Sequence, residues 1–279
     1  MPRSGLLVTS ILIRDTFREA SARWVFWGLF GLSTALILFF LFLMRIDVVE
    51  GAQATISLFG YATGKTVNVA RLVRQVHAGV ASFLYSVAMF LAVFASAGLA
   101  PTALQRGRIE LLLSKPVTRI HLLLARYAGN LLVVTLNVCY LVVGIWLVFG
   151  WKAGVWYASF LWAMLTTTFM FAVLLTVVVL VAVLTESEAL ATMIPFTLMI
   201  LSPILAQHQI MVKLLNSEWS RNVWMGFYYV LPKFFDVGRI NMNLVMGREV
   251  GSLAPVWSSV AFAGVILALA VYSFQKRNY

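Results

Sequence analysis

"VFWGLFGLSTALILFFLFLM", residues 25–44, runs its whole length without a charged side chain. The hydrocarbon core of a bilayer is about 30 Å thick and asks for roughly 20 apolar residues per helix, so this run is long enough to cross it. It exceeds the apolar core of a secretory signal, and no small-residue cleavage site follows it, which makes it a retained span. Reading outward, five further runs of this kind cover residues 76–98, 127–149, 155–184, 188–207 and 255–274. The third and fourth are separated by the short turn "GWKAG", and the fifth carries Pro195 and Pro203, which are expected to bend it. The expectation is an all-α integral membrane protein, one transmembrane domain over 1–279 with six transmembrane helices and both termini on the same side.

Composition agrees. Of the 279 residues 62% are hydrophobic and 11% charged, against about 25% charged in a soluble domain. The 21 Lys and Arg outnumber the 10 Asp and Glu. These bases sit between apolar runs, so their partners are anionic lipid headgroups and not nucleic acid. Cys139 is the single cysteine, which rules out an intrachain disulfide. Lys and Arg divide almost evenly between the two sides of the membrane, and the positive-inside rule therefore assigns no orientation.

Three segments outside the spans carry more information. In residues 5–24, Leu7, Ile11, Phe17 and Trp24 form one helical stripe, with Arg14, Asp15, Arg18 and Glu19 on the other side. That pattern is an amphipathic helix lying in the membrane interface. Residues 100–126 read as short helices dense in bases and broken at Pro101 and Pro116. Residues 208–254 gather Trp219, Trp224, Phe227, Tyr228, Tyr229, Pro232, Phe234 and Phe235, a composition suited to short helices at or partly within the membrane surface.

One stretch invites a different reading. "SLFGYATGKT" (57–66) ends in Gly64, Lys65 and Thr66 and resembles a phosphate-binding loop. That loop needs four residues between its glycines, and three separate Gly60 from Gly64. No Walker B strand accompanies it, so the stretch reads as a turn with an exposed lysine in the 45–75 loop. Other chemistry is equally thin. His77, His121 and His208 are far apart, without zinc-site spacing, and each reads as an interfacial side chain. Apart from Glu188 at the mouth of the fifth span, no Asp, Glu, Lys or Arg falls deep in a span, where ion-coupled carriers usually hold one. Met164, Met170, Met193 and Met199 read as packing and not as a soft-metal path.

A six-span chain with no engine of its own points to energy supplied from outside. The stretch "RGRIELLLSKPVTRIHLLLARY" (106–127) resembles the first cytoplasmic loop of ABC-2 type transporter permeases, whose pattern runs approximately G-[ST]-[IL]-E-x-L-L-[SA]-x-P-[VI]-[ST]-R with a basic residue shortly before span three. Gly107, Ile109, Glu110, Leu112, Leu113, Ser114, Pro116, Val117, Thr118 and Arg119 match it. Arg108, where Ser or Thr is usual, and Arg126, where Lys often stands, depart from it. "YYVLPKFFDV" (228–237) is similar to a Leu-Pro-aromatic element of the family's last external loop, and the branch most alike includes permeases of nitrous-oxide-reductase maturation and of gliding motility.

The resemblance implies a type V exporter-like permease fold that pairs with a second permease, as homodimer or heterodimer. Each permease docks a cytoplasmic ABC ATPase subunit, two copies in all. The 100–126 loop would be a cytoplasmic coupling element, with Arg106, Gly107, Arg108, Glu110, Leu112, Ser114, Pro116 and Arg119 at the contact. Residues 208–254 would form an extracytoplasmic gate region around Trp219, Trp224, Tyr228, Tyr229 and Pro232. Both termini would be cytoplasmic, in a bacterial inner membrane. No cofactor is expected in this chain, ATP and Mg²⁺ belonging to the ATPase. A mechanotransducer of the same architecture, acting on an extracytoplasmic accessory protein, is the competing expectation. A lipid-modifying membrane enzyme is disfavoured for want of clustered catalytic side chains.

Overall fold

The computed structural model describes residues 14, 17–19, 21, 24–50, 53–58, 61–98, 118–207, 210 and 217–276. Helices dominate them. The first is α1 (Trp24–Leu38), which continues through a wider π turn, Phe39–Leu43. A second long helix, α2 (Val69–Ala97), contains a π turn at Leu84–Ala88. Then come α3 (Arg119–Ala153), α4 (Ala158–Thr185) and α5 (Glu188–Ala206). Two shorter helices, α6 (Glu218–Val230) and α7 (Phe234–Val245), precede α8 (Ala254–Lys276).

Among the described residues five helices, α2, α3, α4, α5 and α8, are long and apolar enough to cross a membrane. The first apolar run forms α1 with its π turn, Trp24–Leu43, of which Phe26–Phe42 is the described apolar stretch. Polar residues capping the helices move several boundaries away from the hydropathy windows. Asn68 accepts a hydrogen bond from the Arg71 N–H at 3.2 Å, so α2 starts at Val69 and not at 76. Thr118 caps α3 in the same way, accepting from the His121 N–H, which places Arg119–Tyr127 inside the helix. At the far end Gly154 takes the left-handed conformation (φ 66°) that stops α3. A residue with φ 54°, Glu186, ends α4, and Ser187 at once caps α5. Helix α5 runs unbroken through Pro195 and Pro203.

The 45–75 segment departs from the loop expectation. Strands β1 (Met44–Glu50), β2 (Gln53–Leu58) and β3 (Tyr61–Asn68) form an antiparallel three-stranded sheet in the order β1-β2-β3. Ile46 pairs with Ile56 and Ala54 with Val67. Gly64, Lys65 and Thr66 therefore belong to a strand and not to a turn. The chain is a helical membrane domain carrying one small sheet among its described residues.

Helix α4 is the centre of the bundle. From Met170 to Val183 nearly every residue is buried, including Phe171, Leu174, Leu175 and Val178 at 1% exposure or less. It packs against α2, α3, α5, α7 and α8. An apolar surface covered on all sides is what an interior membrane helix requires, and the other helices keep Leu, Ile and Phe on their outer faces, where lipid lies.

The end of α1 is held by another helix. Lys152, near the end of α3, donates from Nζ to the Phe40 carbonyl at 3.0 Å and the Met44 carbonyl at 2.8 Å. The last carbonyls of a helix have no partner within it and carry its negative dipole end, which a cation satisfies on both counts. Lys152→Met is expected to lower stability by about 2 kcal/mol, as charged hydrogen bonds of this kind are worth, and Lys152→Arg to retain most of it. Unfolding midpoints of both variants in detergent check this.

Candidate functional site

Two polar constellations stand out, one at each end of the bundle. The first is the turn from α6 to α7. Leu231, extended (φ −79°, ψ 154°), stops α6 because it precedes Pro232. The first N–H groups of the next helix then need partners outside it. Lys233 N–H donates to Ser259 Oγ of α8 at 3.2 Å, and Phe235 N–H donates to Ser202 Oγ of α5 at 2.9 Å. The Phe234 carbonyl accepts from the Tyr85 hydroxyl at 2.7 Å, and the two rings stack at 4.7 Å. Tyr85 lies in the π turn of α2. Further along, Thr166 Oγ1 donates to Asn241 Oδ1 at 2.7 Å and Ser159 Oγ to the Val245 carbonyl at 3.0 Å. Side chains from α2, α4, α5 and α8 thus pin α7 within the length of the bundle.

Over this turn lies a charged cluster. Lys233, 8% exposed, holds Nζ 4.3 Å from the Tyr228 ring centre and 5.2 Å from that of Tyr229. The ammonium is attracted to the negative ring faces. Tyr228 donates its hydroxyl to Asp236 Oδ2 at 3.1 Å. Burial, with the Asp236 charge adding to it, pushes the Tyr228 phenol up to about 12. Burial lowers Lys233, opposed by Asp236. Of the expected gate residues, Tyr228, Tyr229 and Pro232 meet here. Trp219 stands 75% exposed at the start of α6, and Trp224 is half-buried with its indole N–H lacking a partner.

The second constellation is at the opposite end. Arg126 Nη1 donates to Glu19 Oε2 at 2.5 Å, with side chains 10% and 14% exposed. This joins α3, two turns after its first residue, to the N-terminal segment 107 positions away. That segment is also folded against the start of α1: the Trp27 indole N–H donates to the Ser21 carbonyl at 2.8 Å, and the Phe17 and Phe26 rings meet edge to face. Arg119 is the first residue of α3 and half-buried. The other expected coupling residues, Arg106, Gly107, Arg108, Glu110, Leu112, Ser114 and Pro116, lie outside the described residues, as does His208.

The histidine expectation needs correction. His77 is 1% exposed, stacked on Phe160 at 4.2 Å and edge-on to Phe149 at 5.3 Å, so it is a core side chain and not an interfacial one. Among the described residues no group of three or more His, Cys, Asp or Glu is placed to hold a metal ion.

The sequence model of the ABC-2 family transporter proteins matches residues 11–279. The chain belongs to the ABC-2 transporter family. That membership, with five apolar helices of spanning length, makes it a multi-pass membrane component of an ABC transporter. A comparison with curated proteins finds no match. Within this ABC-2 chain, the Arg126–Glu19 pair was half-visible in sequence: Arg126 stood at the family's basic position, but nothing marked Glu19 as its partner. Tyr85 went unnoticed, because a tyrosine inside an apolar run carries no signal until its neighbour is known.

Two outcomes test the α6–α7 turn. A Cβ on Gly238 would lie 2.8 Å from Tyr85 Cε1, and that ring is fixed by its bond to Phe234. Gly238→Ala is therefore expected to cost about 1–3 kcal/mol, as overpacking does, measured as a lowered unfolding midpoint. For Tyr228 the folded state holds its proton to higher pH than the unfolded chain. Its contribution is present below pH 10 and is lost as pH rises towards 12. Melting curves across that window should show a smaller alkaline loss for Tyr228→Phe than for the wild type.

Proposed function

We propose that this chain is the permease subunit of an ATP-driven exporter, coupled through its 100–126 loop to a separate cytoplasmic ATPase. The observation that carries the reading is the family match over residues 11–279. The strand position of Gly64-Lys65-Thr66 agrees with it; nucleotide hydrolysis, with its ATP and Mg²⁺, belongs in this reading to the partner subunit. Two permeases pair, each docking one ATPase. The helix Phe26–Phe42 supplies the sixth crossing, so both termini lie in the cytoplasm of a bacterial cell, on the side of the 100–126 loop.

Force enters at Glu110 and Arg119 and passes into α3, which begins at Arg119. The Arg126–Glu19 pair makes the N-terminal segment share that movement. At the other end the α6–α7 hairpin closes the pathway in the resting state. Its bonds to α5 and α8 through Ser202 and Ser259 connect the closure to the positions of those spans. A second reading, mechanical action on an extracytoplasmic partner, draws on the β1–β3 sheet, whose outer strands β1 and β3 each pair on one side within the sheet.

Purification of the tagged chain in mild detergent from its native membrane is the test. An ATPase is expected to accompany it, and Glu110→Ala or Arg119→Ala to reduce the recovered ATPase at least several-fold. Recovery of the chain alone in every case would refute ATPase coupling. Stimulation of the complex by a partner protein, and by no cargo, would transfer support to the second reading.

A further inference from the structure

The interior of the bundle holds a cavity that neither the coupling loop nor the α6–α7 turn accounts for. It measures about 30 Å³ and lies between α1, α2, α3 and α4. Most of its wall is apolar, with Leu84 and Ala88 of the π turn, Val134 and Phe171 among the lining residues. Two polar side chains also line it, Asn137 of α3 and Thr167 of α4. Asn137 uses Oδ1 to accept from Ser33 Oγ of α1 at 3.2 Å. Its Nδ2 is buried without a partner, and so is Thr167 Oγ1, on a residue 2% exposed.

Two orphaned polar groups facing one hollow between membrane helices are costly if the hollow is empty, because a buried donor or acceptor forfeits the bonds it made in water. The space suffices for an occupant. A water molecule needs about 10–15 Å³ of such room and at least two polar partners. It must also be a partner to both groups, an amide that donates and a hydroxyl that donates or accepts. Exchange of the Asn137 amide's ends leaves this unchanged, since Ser33 Oγ can serve either end and the other still faces the cavity. A metal cation accepts no hydrogen bond, and an apolar ligand satisfies neither group.

We infer that this cavity is a resident water site, in which one water bridges Asn137 on α3 and Thr167 on α4 beside the π turn of α2. The water completes a polar chain, Ser33 to Asn137 to water to Thr167, that joins α1, α3 and α4 across the apolar interior.

Thr167→Val tests it by sign, because the replacement keeps the shape and removes the hydroxyl. If water bridges the two groups, the variant loses a hydrogen bond, and its unfolding midpoint in detergent falls by about 2–4 °C. If the cavity is dry, removing an orphaned hydroxyl raises the midpoint. Thr168→Val is the internal control: its Oγ1 is likewise buried without a partner but does not line the cavity, and its midpoint should hold or rise. Repeating the pair with choline in place of sodium should leave the Thr167→Val loss intact, and its disappearance would overturn the water assignment in favour of an ion. A density map that resolves ordered water should show a peak within hydrogen-bonding distance of the Asn137 amide and Thr167 Oγ1, and an empty cavity there would sink the proposal.

Discussion

In hydrocarbon there is no water to accept a stray N–H or satisfy a stray carbonyl, so each interruption of a helix within the bundle has to be answered by the protein itself. This constraint organises the structure. Where α1 ends, Lys152 supplies an ammonium to two carbonyls. Where α7 begins, Ser259 and Ser202 take its first amides and Tyr85 caps the Phe234 carbonyl. In each case the answer comes from a different helix. The breaks are therefore places where helices are tied to one another by directed bonds, while α4 collects most of the undirected apolar contacts.

The division matters for movement. Apolar faces slide past each other with small changes in energy, since one methyl contact replaces another. A serine hydroxyl bound to a particular amide does not slide. Displacement of α5 or α8 must either carry the Lys233–Phe235 turn along or leave buried amides without partners. The turn is consequently coupled to two spans at once, and Lys233, held between two tyrosine rings, keeps the end of α6 folded down on it.

Much of this was legible beforehand, and the failures have physical causes. The apolar runs marked the helices, but hydropathy stops where charge begins, and helices do not. Arg71 and Arg74 in the first turns of α2, and Arg119 to Arg126 in α3, looked like loop until Asn68 and Thr118 were seen capping them. The sheet left a fainter trace. Alternation in "RIDVVE" and "QATISL", with glycine in the pairs Gly51-Ala52 and Phe59-Gly60 between the runs, fits strands, but the Gly-Lys-Thr triplet drew the reading towards a turn. His77 misled because a lone histidine near the end of an apolar run suits an interface as well as an aromatic pocket. Composition marked α4 as a span but did not single it out as the centre of the bundle. The polar ties left no trace either, because Tyr85 and Phe234 are 149 positions apart and no local pattern links them.

The helices on one side of the bundle are unequal in reach. At about 1.5 Å per residue, α1 with its π turn, Trp24–Leu43, spans about 30 Å, while α3 beside it, Arg119–Ala153, extends about 50 Å. The first matches a hydrocarbon layer of about 30 Å, and the second exceeds it. Lysine at the end of α3 fixes the two helices flush at that end, so the whole excess of α3 emerges at the other. Either α3 leans in the bilayer or its first turns stand beyond the hydrocarbon. The bilayer therefore meets the protein with an uneven rim, and acyl-chain length becomes a variable that favours one tilt of α3 over another.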